Sequence, residues 1–201
     1  MPSIPSSPLG TLLPRHASAA VNDALGDTRV VLVVGARQCG KSTLAAQIGN
    51  ARSAEWRSLD RAALREAARF DPEGFVASEG LMVIDEVQRV PELLLAIKES
   101  VDSTPIPGRF LLTGSARLLG LRGVPDALPG RMETIELWPL SQGEIDGSAD
   151  GFVDALYAAG ANFRHATAES RDGYIERIIR GGFPEAVARP SRRRERSWIT
   201  M

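Results

Sequence analysis

Gly35, Gly40, Lys41 and Ser42 stand in the spacing G-x-x-x-x-G-K-S. Glycines allow the tight, partly left-handed path that turns successive backbone N–H groups inward. With the N-terminus of a following helix, those groups form a nest for a polyphosphate. The cradle is expected to run through Gly35, Ala36, Arg37, Gln38, Cys39, Gly40, Lys41, Ser42 and Thr43. Lys41 would reach the β- and γ-phosphates, and Ser42 would place its hydroxyl on Mg²⁺. An apolar run, 30–34, precedes the loop, and a helical pattern follows it to residue 48. Lysine is otherwise present only at Lys98, which argues against coincidence. The plain alternative is a glycine-rich turn carrying a solvated lysine.

A second chemical element lies at residues 81–86, where four apolar residues end in Asp85 and Glu86. A carboxylate at the end of a buried strand is suited to orient Mg²⁺ through its water shell, which is the role expected of Asp85. Glu86 is placed to polarise a water for in-line attack on a γ-phosphate. Taken alone, such acids are ordinary loop entries. A third run, 110–112, ends in Thr113, Gly114 and Ser115. Their hydroxyls can meet the γ-phosphate or the attacking water. Alternatively, Thr113 caps its strand and Gly114 begins a turn. Arg117 and Arg131 are the candidates for a charge-stabilising arginine, with plain solvation as the other reading of each. No N-K-x-D element for reading guanine occurs. A Glu beside the metal acid favours ATP hydrolysis over small-molecule phosphorylation.

These residues need a scaffold. Helices are expected over 12–25, 41–48, 61–69, 72–77, 91–101 and 174–180, and strands over 30–34, 54–59, 81–84, 110–112 and 132–137. Asp71-Pro72 separates the third and fourth helices, because a residue before proline is pushed out of the helical region. Strands alternating with helices define an α/β fold: a parallel sheet with helices on both faces and ligands at the carboxyl ends of the strands. The candidate residues at 35–42, 85–86 and 113–115 fall at such ends.

The 201 residues carry 24 basic and 25 acidic side chains, a net charge of −1, so no general pull toward nucleic acid follows. Cys39 is the single cysteine, which excludes an intramolecular disulfide and fits a reducing compartment. No run of about 18 apolar residues is present, and no basic segment precedes an apolar core at the N-terminus. A cytoplasmic location with no membrane partner is the expectation. His16 and His165 stand alone, so no metal besides nucleotide-bound Mg²⁺ is suggested. Ser141 and Glu144 read as a helix capping box. The Arg192–Arg196 cluster reads as a solvated helical face, or as a contact to phosphate backbones. Cys39 reads as a small loop residue, or as a redox-sensitive thiol near a helix N-terminus.

The stretches GARQCGKSTL (35–44), LMVIDEVQRVPELLLAIK (81–98), FLLTGSA (110–116), LPGRMETIELWPLS (128–141) and RGGFPEAV (180–187) occur in that order. Together, over 12–188, they resemble the AAA+-type ATPases of bacteria and archaea that carry an uncharacterised C-terminal domain. The resemblance implies a three-layer P-loop NTPase with strand order 5-1-4-3-2 and a small helical segment after it. It implies a sensor role for Thr113 or Ser115. It also makes Gly182-Phe183-Pro184 similar to a G-x-P element, with Pro184 touching the nucleotide; a helix terminator is the other reading. The expected organisation is a loose leader at 1–11, an ATPase core at 12–146, and a helical or partial winged-helix segment at 147–201. Family members continue well beyond residue 201, so a truncated product, a fragment and a natural short form all stay open.

The function expected is Mg-ATP binding and hydrolysis to ADP and phosphate. Lys41, Glu86, Thr113 and Arg131 would carry the chemistry, and Ser42 with Asp85 the Mg²⁺. The alternatives are an ATP-dependent switch with negligible turnover, a fragment that only binds nucleotide, and a nucleic-acid module resting on the terminal arginines. An arginine supplied in trans would require a homo-oligomer. The sequence names no protein partner.

Overall fold

Valine and isoleucine runs flanked by helices on both sides fold as strands that are buried over their whole length. Val30–Gly35 is the first of these, β1, and all six of its residues are buried. The structure, a computed structural model, describes residues 12–115, 128–148, 151–164 and 166–190. The leader at 1–11, Arg117, His165 and the cluster at 192–196 lie outside the described residues.

The other strands are β2 (Glu55–Ser58), β3 (Met82–Asp85), β4 (Phe110–Ser115) and β5 (Met132–Leu137). They form one sheet in the order β2-β3-β4-β1-β5 with every pairing parallel, which is the expected order read from the opposite edge. The helices of this unit are α1 (Ala17–Asp27), α2 (Lys41–Ala51), α3 (Ala62–Phe70), α4 (Pro72–Val76) and α5 (Leu93–Ser103). One face of the sheet packs Val30, Leu32, Val34, Met82, Ile84, Phe110 and Leu112 against Phe75, Leu93, Ile97 and Val101. The opposite face meets α2, where a Cβ at Gly49 would lie 2.9 Å from Val83 Cγ2. The result is a three-layer α/β unit running from His16 to Trp138.

Several boundaries differ from the sequence reading. The helix read over 12–25 begins only at Ala17; Pro14 disfavours helix at Leu13, the residue before it. It runs on to Asp27 and is closed by Thr28 N–H on the Ala24 carbonyl. The strands β3 and β4 continue into their polar ends, through Asp85 and Ser115. A 3-10 turn, Val87–Arg89, precedes α5. Asp71 caps α4 by accepting the Gly74 N–H at 2.9 Å, which makes the Asp-Pro break a helix start as well as a stop.

A second unit gathers residues from Pro139 onward with the segment ending at Arg15. Its helices are α6 (Gln142–Asp146), α7 (Phe152–Ala159), α8 (Arg171–Arg180) and α9 (Pro184–Ala188). Ser141 and Glu144 form the capping box of α6, as their spacing predicts. Arg15 reaches Glu144 at 3.1 Å, with both side chains largely buried. Arg177 ties α8 to Asp146 at 2.5 Å and to Glu169 at 3.0 Å. No described helix is long and apolar enough to cross a membrane.

Candidate nucleotide-binding site

The loop after β1 is held from below. A Cβ on Gly35 would collide with the Leu137 backbone oxygen, so only glycine fits between β1 and β5 there. Cys39 is fully buried, and its S–H donates to the same Leu137 oxygen at 3.3 Å. Gly40 takes φ 104° and caps α2, and Leu44 N–H closes the first helical turn on its carbonyl at 2.9 Å. Gln38 is left-handed at φ 64°, a conformation that costs a non-glycine residue about 1–3 kcal/mol. Ala36, Arg37 and Gln38 form the exposed crest of the loop. Lys41 is only 5% exposed. Its ammonium donates to the Gly35 carbonyl at 3.1 Å and the Ala36 carbonyl at 2.8 Å, folding back over the loop.

Parallel register carries the other candidates to the same edge. Ser58 pairs with Asp85, and Gly35 lies between Ser115 and Leu137. Three hydroxyls converge on the buried Asp85 carboxylate: Ser42 at 2.6 Å, Thr113 at 2.7 Å and Ser58 at 3.1 Å. Thr113 is fully buried and also accepts the Glu86 N–H at 3.0 Å, so it fixes the acid and the backbone after it. Glu86 is left-handed at φ 61°. Its carboxylate accepts from the Gln88 side-chain amide, whose oxygen accepts the Ser115 N–H at 3.3 Å. A hydroxyl and a carboxylate are hard oxygen donors of the kind Mg²⁺ takes, so Ser42 and Asp85 fit that ion.

Lys41, Ser42, Asp85, Glu86 and Thr113 therefore come together beside the loop. Arg131 does not. It precedes β5, its carbonyl accepts the Val30 N–H at 3.2 Å, and it stands at the amino end of β1, about 17 Å of strand from the loop. There it is hydrogen-bonded to Asp102 at the end of α5, which holds the Asp102 carboxyl below its ordinary value. Pro184 opens α9 in the second unit. Gly181, at φ 63°, ends α8, and a Cβ on Gly182 would strike the Leu140 backbone. The helix-terminating reading of this segment thus has a direct structural basis.

Two residues of the cluster were not singled out from the sequence. Ser58 ends a weak strand, and only the β2–β3 register reveals its nearness to Asp85. Gln88 lies two residues beyond Glu86, with a sequence signal no stronger than that proximity.

A buried strand, a glycine loop around a lysine, and a strand-end acid bonded to the loop serine define a P-loop NTPase domain. The match to a family model described as an AAA domain spans residues 27–146. The chain belongs to this AAA+-type P-loop ATPase family, and the membership supports nucleotide binding. Uncharacterised proteins of Mycobacterium bovis and Mycobacterium tuberculosis are each 34% identical over 199 residues, covering 93% of this chain. The chain spans 44% of the length of these relatives. Its fold is similar to that of AMPPCP-bound DnaA from Aquifex aeolicus, with a TM-score of 0.54, 14% identity, and 97% of this chain and 64% of that one covered. It is also similar to a Walker-type ATPase of Pyrococcus abyssi, with a TM-score of 0.52, 16% identity, and 88% and 66% covered. At these identities the likeness lies in the fold.

Proposed function

We propose that this chain binds Mg-ATP at the 35–43 loop and hydrolyses it to ADP and phosphate. The observation that carries the reading is the convergence of Ser42 and Thr113 on the Asp85 carboxylate, next to a lysine folded over the loop. Lys41 would donate to the β- and γ-phosphate oxygens, and the loop N–H groups would hydrogen-bond the remaining charge. Ser42 and Asp85 would hold Mg²⁺, which when bound would neutralise phosphate charge. Glu86 orients the attacking water. The water oxygen forms a bond to the γ-phosphorus, the bond to the β–γ bridging oxygen breaks, and the water proton passes toward Glu86. Thr113 keeps Asp85 and the Glu86 backbone in register. Arg131 has no part in its own loop on this reading, so a stabilising arginine would come from elsewhere, including a second copy of the chain.

The test separates binding from turnover. Lys41→Ala is expected to abolish ATP binding by calorimetry. Glu86→Gln is expected to keep binding while single-turnover release of phosphate falls by about a thousandfold. Unchanged hydrolysis in Glu86→Gln would sink the mechanism. Tight binding by the wild type with no phosphate released in a single turnover would favour a nucleotide switch.

A further inference from the structure

The strand order sets β4 and β5 on opposite sides of β1 and its loop. The acid and hydroxyl cluster stands on one side of β1, at the ends of β3 and β4. The metal-bound, terminal end of a polyphosphate belongs there. A phosphate chain leaving that cluster across the loop heads to the opposite side of β1, where β5 ends. The junction is tight, because the Leu137 carbonyl accepts the Cys39 S–H and abuts Gly35. The next residue is Trp138, 67% exposed at the carboxyl end of the sheet, whereas Leu137 is 2% exposed. The sheet itself therefore ends in a buried aliphatic side chain and then presents an indole, on the side where the base would emerge.

We infer that Trp138 is the base-contacting residue of this site, stacking on the purine of the bound nucleotide. This rests on the ATP-binding reading and deepens it by naming what holds the nucleoside half. An indole face is suited to holding a base because it is rigid, broad and apolar, and stacking between a base and an aromatic ring is a recurrent source of affinity. The bland reading of an exposed tryptophan is a surface residue with no ligand, and the two differ in one measurable respect. A base contact strengthens ATP and leaves a phosphate chain without a base untouched.

Calorimetric titration of the full chain with Mg-ATP and with Mg-tripolyphosphate tests it. The wild type should bind ATP more tightly than tripolyphosphate. In Trp138→Ala, ATP affinity should fall about tenfold while tripolyphosphate affinity stays the same. Trp138→Phe should restore most of the loss. Unchanged tripolyphosphate binding also shows that the variant is folded. Trp138→Ala retaining full ATP affinity overturns the base contact and leaves ATP binding intact, as does equal loss for both ligands with Trp138→Phe failing to rescue. A wild type that binds neither ligand overturns the ATP reading and this inference with it.

Discussion

Gln88 acts through two local hydrogen bonds. Its amide nitrogen donates to the Glu86 carboxylate while its amide oxygen accepts the Ser115 N–H, so one side chain ties Glu86, the acid proposed to orient the water, to the end of β4. Hydrogen bonds to charged groups contribute about 1.5–3 kcal/mol, and each 1.36 kcal/mol is about tenfold in rate. Gln88→Ala is therefore expected to lower steady-state phosphate release by about ten- to a hundredfold, with ATP affinity unchanged. A parallel loss of affinity would show that Gln88 supports the loop instead of Glu86. The same scale shows what a sequence displays. Loop residues are legible because their contacts are consecutive in the chain. Asp85 and Thr113 are legible because apolar runs end at them. Ser58 and Gln88 are not, because their partners are set by register and by a left-handed turn at Glu86. Arg131 had a readable signal that its residue type obscured: it precedes a strand, and this site lies where strands finish.

At the scale of elements, β1 positions the loop and is itself fixed by neighbours at both ends. The carboxyl end is pinned through Leu137, and the amino end through the Arg131–Asp102 pair between β5 and α5. The central strands β1, β3 and β4 follow from apolar runs, since burial on both faces leaves such a run, whereas the edge strands β2 and β5 are only partly buried and carry a weaker signal. The edges of elements follow less well: α1 begins only at Ala17, and β3 and β4 run on through the polar residues Asp85 and Ser115. The ion pair gives a pH prediction. The bonded Arg131 guanidinium lowers the Asp102 pKa from its ordinary 3.8. A carboxylate with a depressed folded-state pKa contributes stability that is whole above the unfolded value and is lost as pH falls through the folded one. Wild type should then exceed Asp102→Asn in denaturant midpoint at pH 7. That gap should stay constant down to about pH 5 and close progressively below 3.8. The pair is exposed, so the gap will be small. A gap that persists undiminished to pH 2 would assign the loss to packing and not to charge.

The whole molecule responds to ligand by mass action. Anything that binds the folded state alone stabilises it by RT ln(1 + [L]/Kd), about 2.7 kcal/mol at a hundredfold excess over Kd. For a chain of this length each kcal/mol moves the melting temperature by about 2–4 °C, so saturating Mg-ATP should raise it by roughly 5–10 °C. The increment must depend on Lys41. Its ammonium is buried and bonded to the Gly35 and Ala36 carbonyls, so removing it also disturbs the loop. The informative quantity is consequently the difference with and without nucleotide in each variant, not the melting temperature itself. That difference should vanish in Lys41→Ala and survive in Glu86→Gln, whose loop and metal-side residues are intact. It should also shrink when Mg²⁺ is removed by chelation, because Ser42 and Asp85 would then face the phosphates without the charge that reconciles them. A rise of equal size in Lys41→Ala would place the stabilising ligand somewhere other than the loop between β1 and α2.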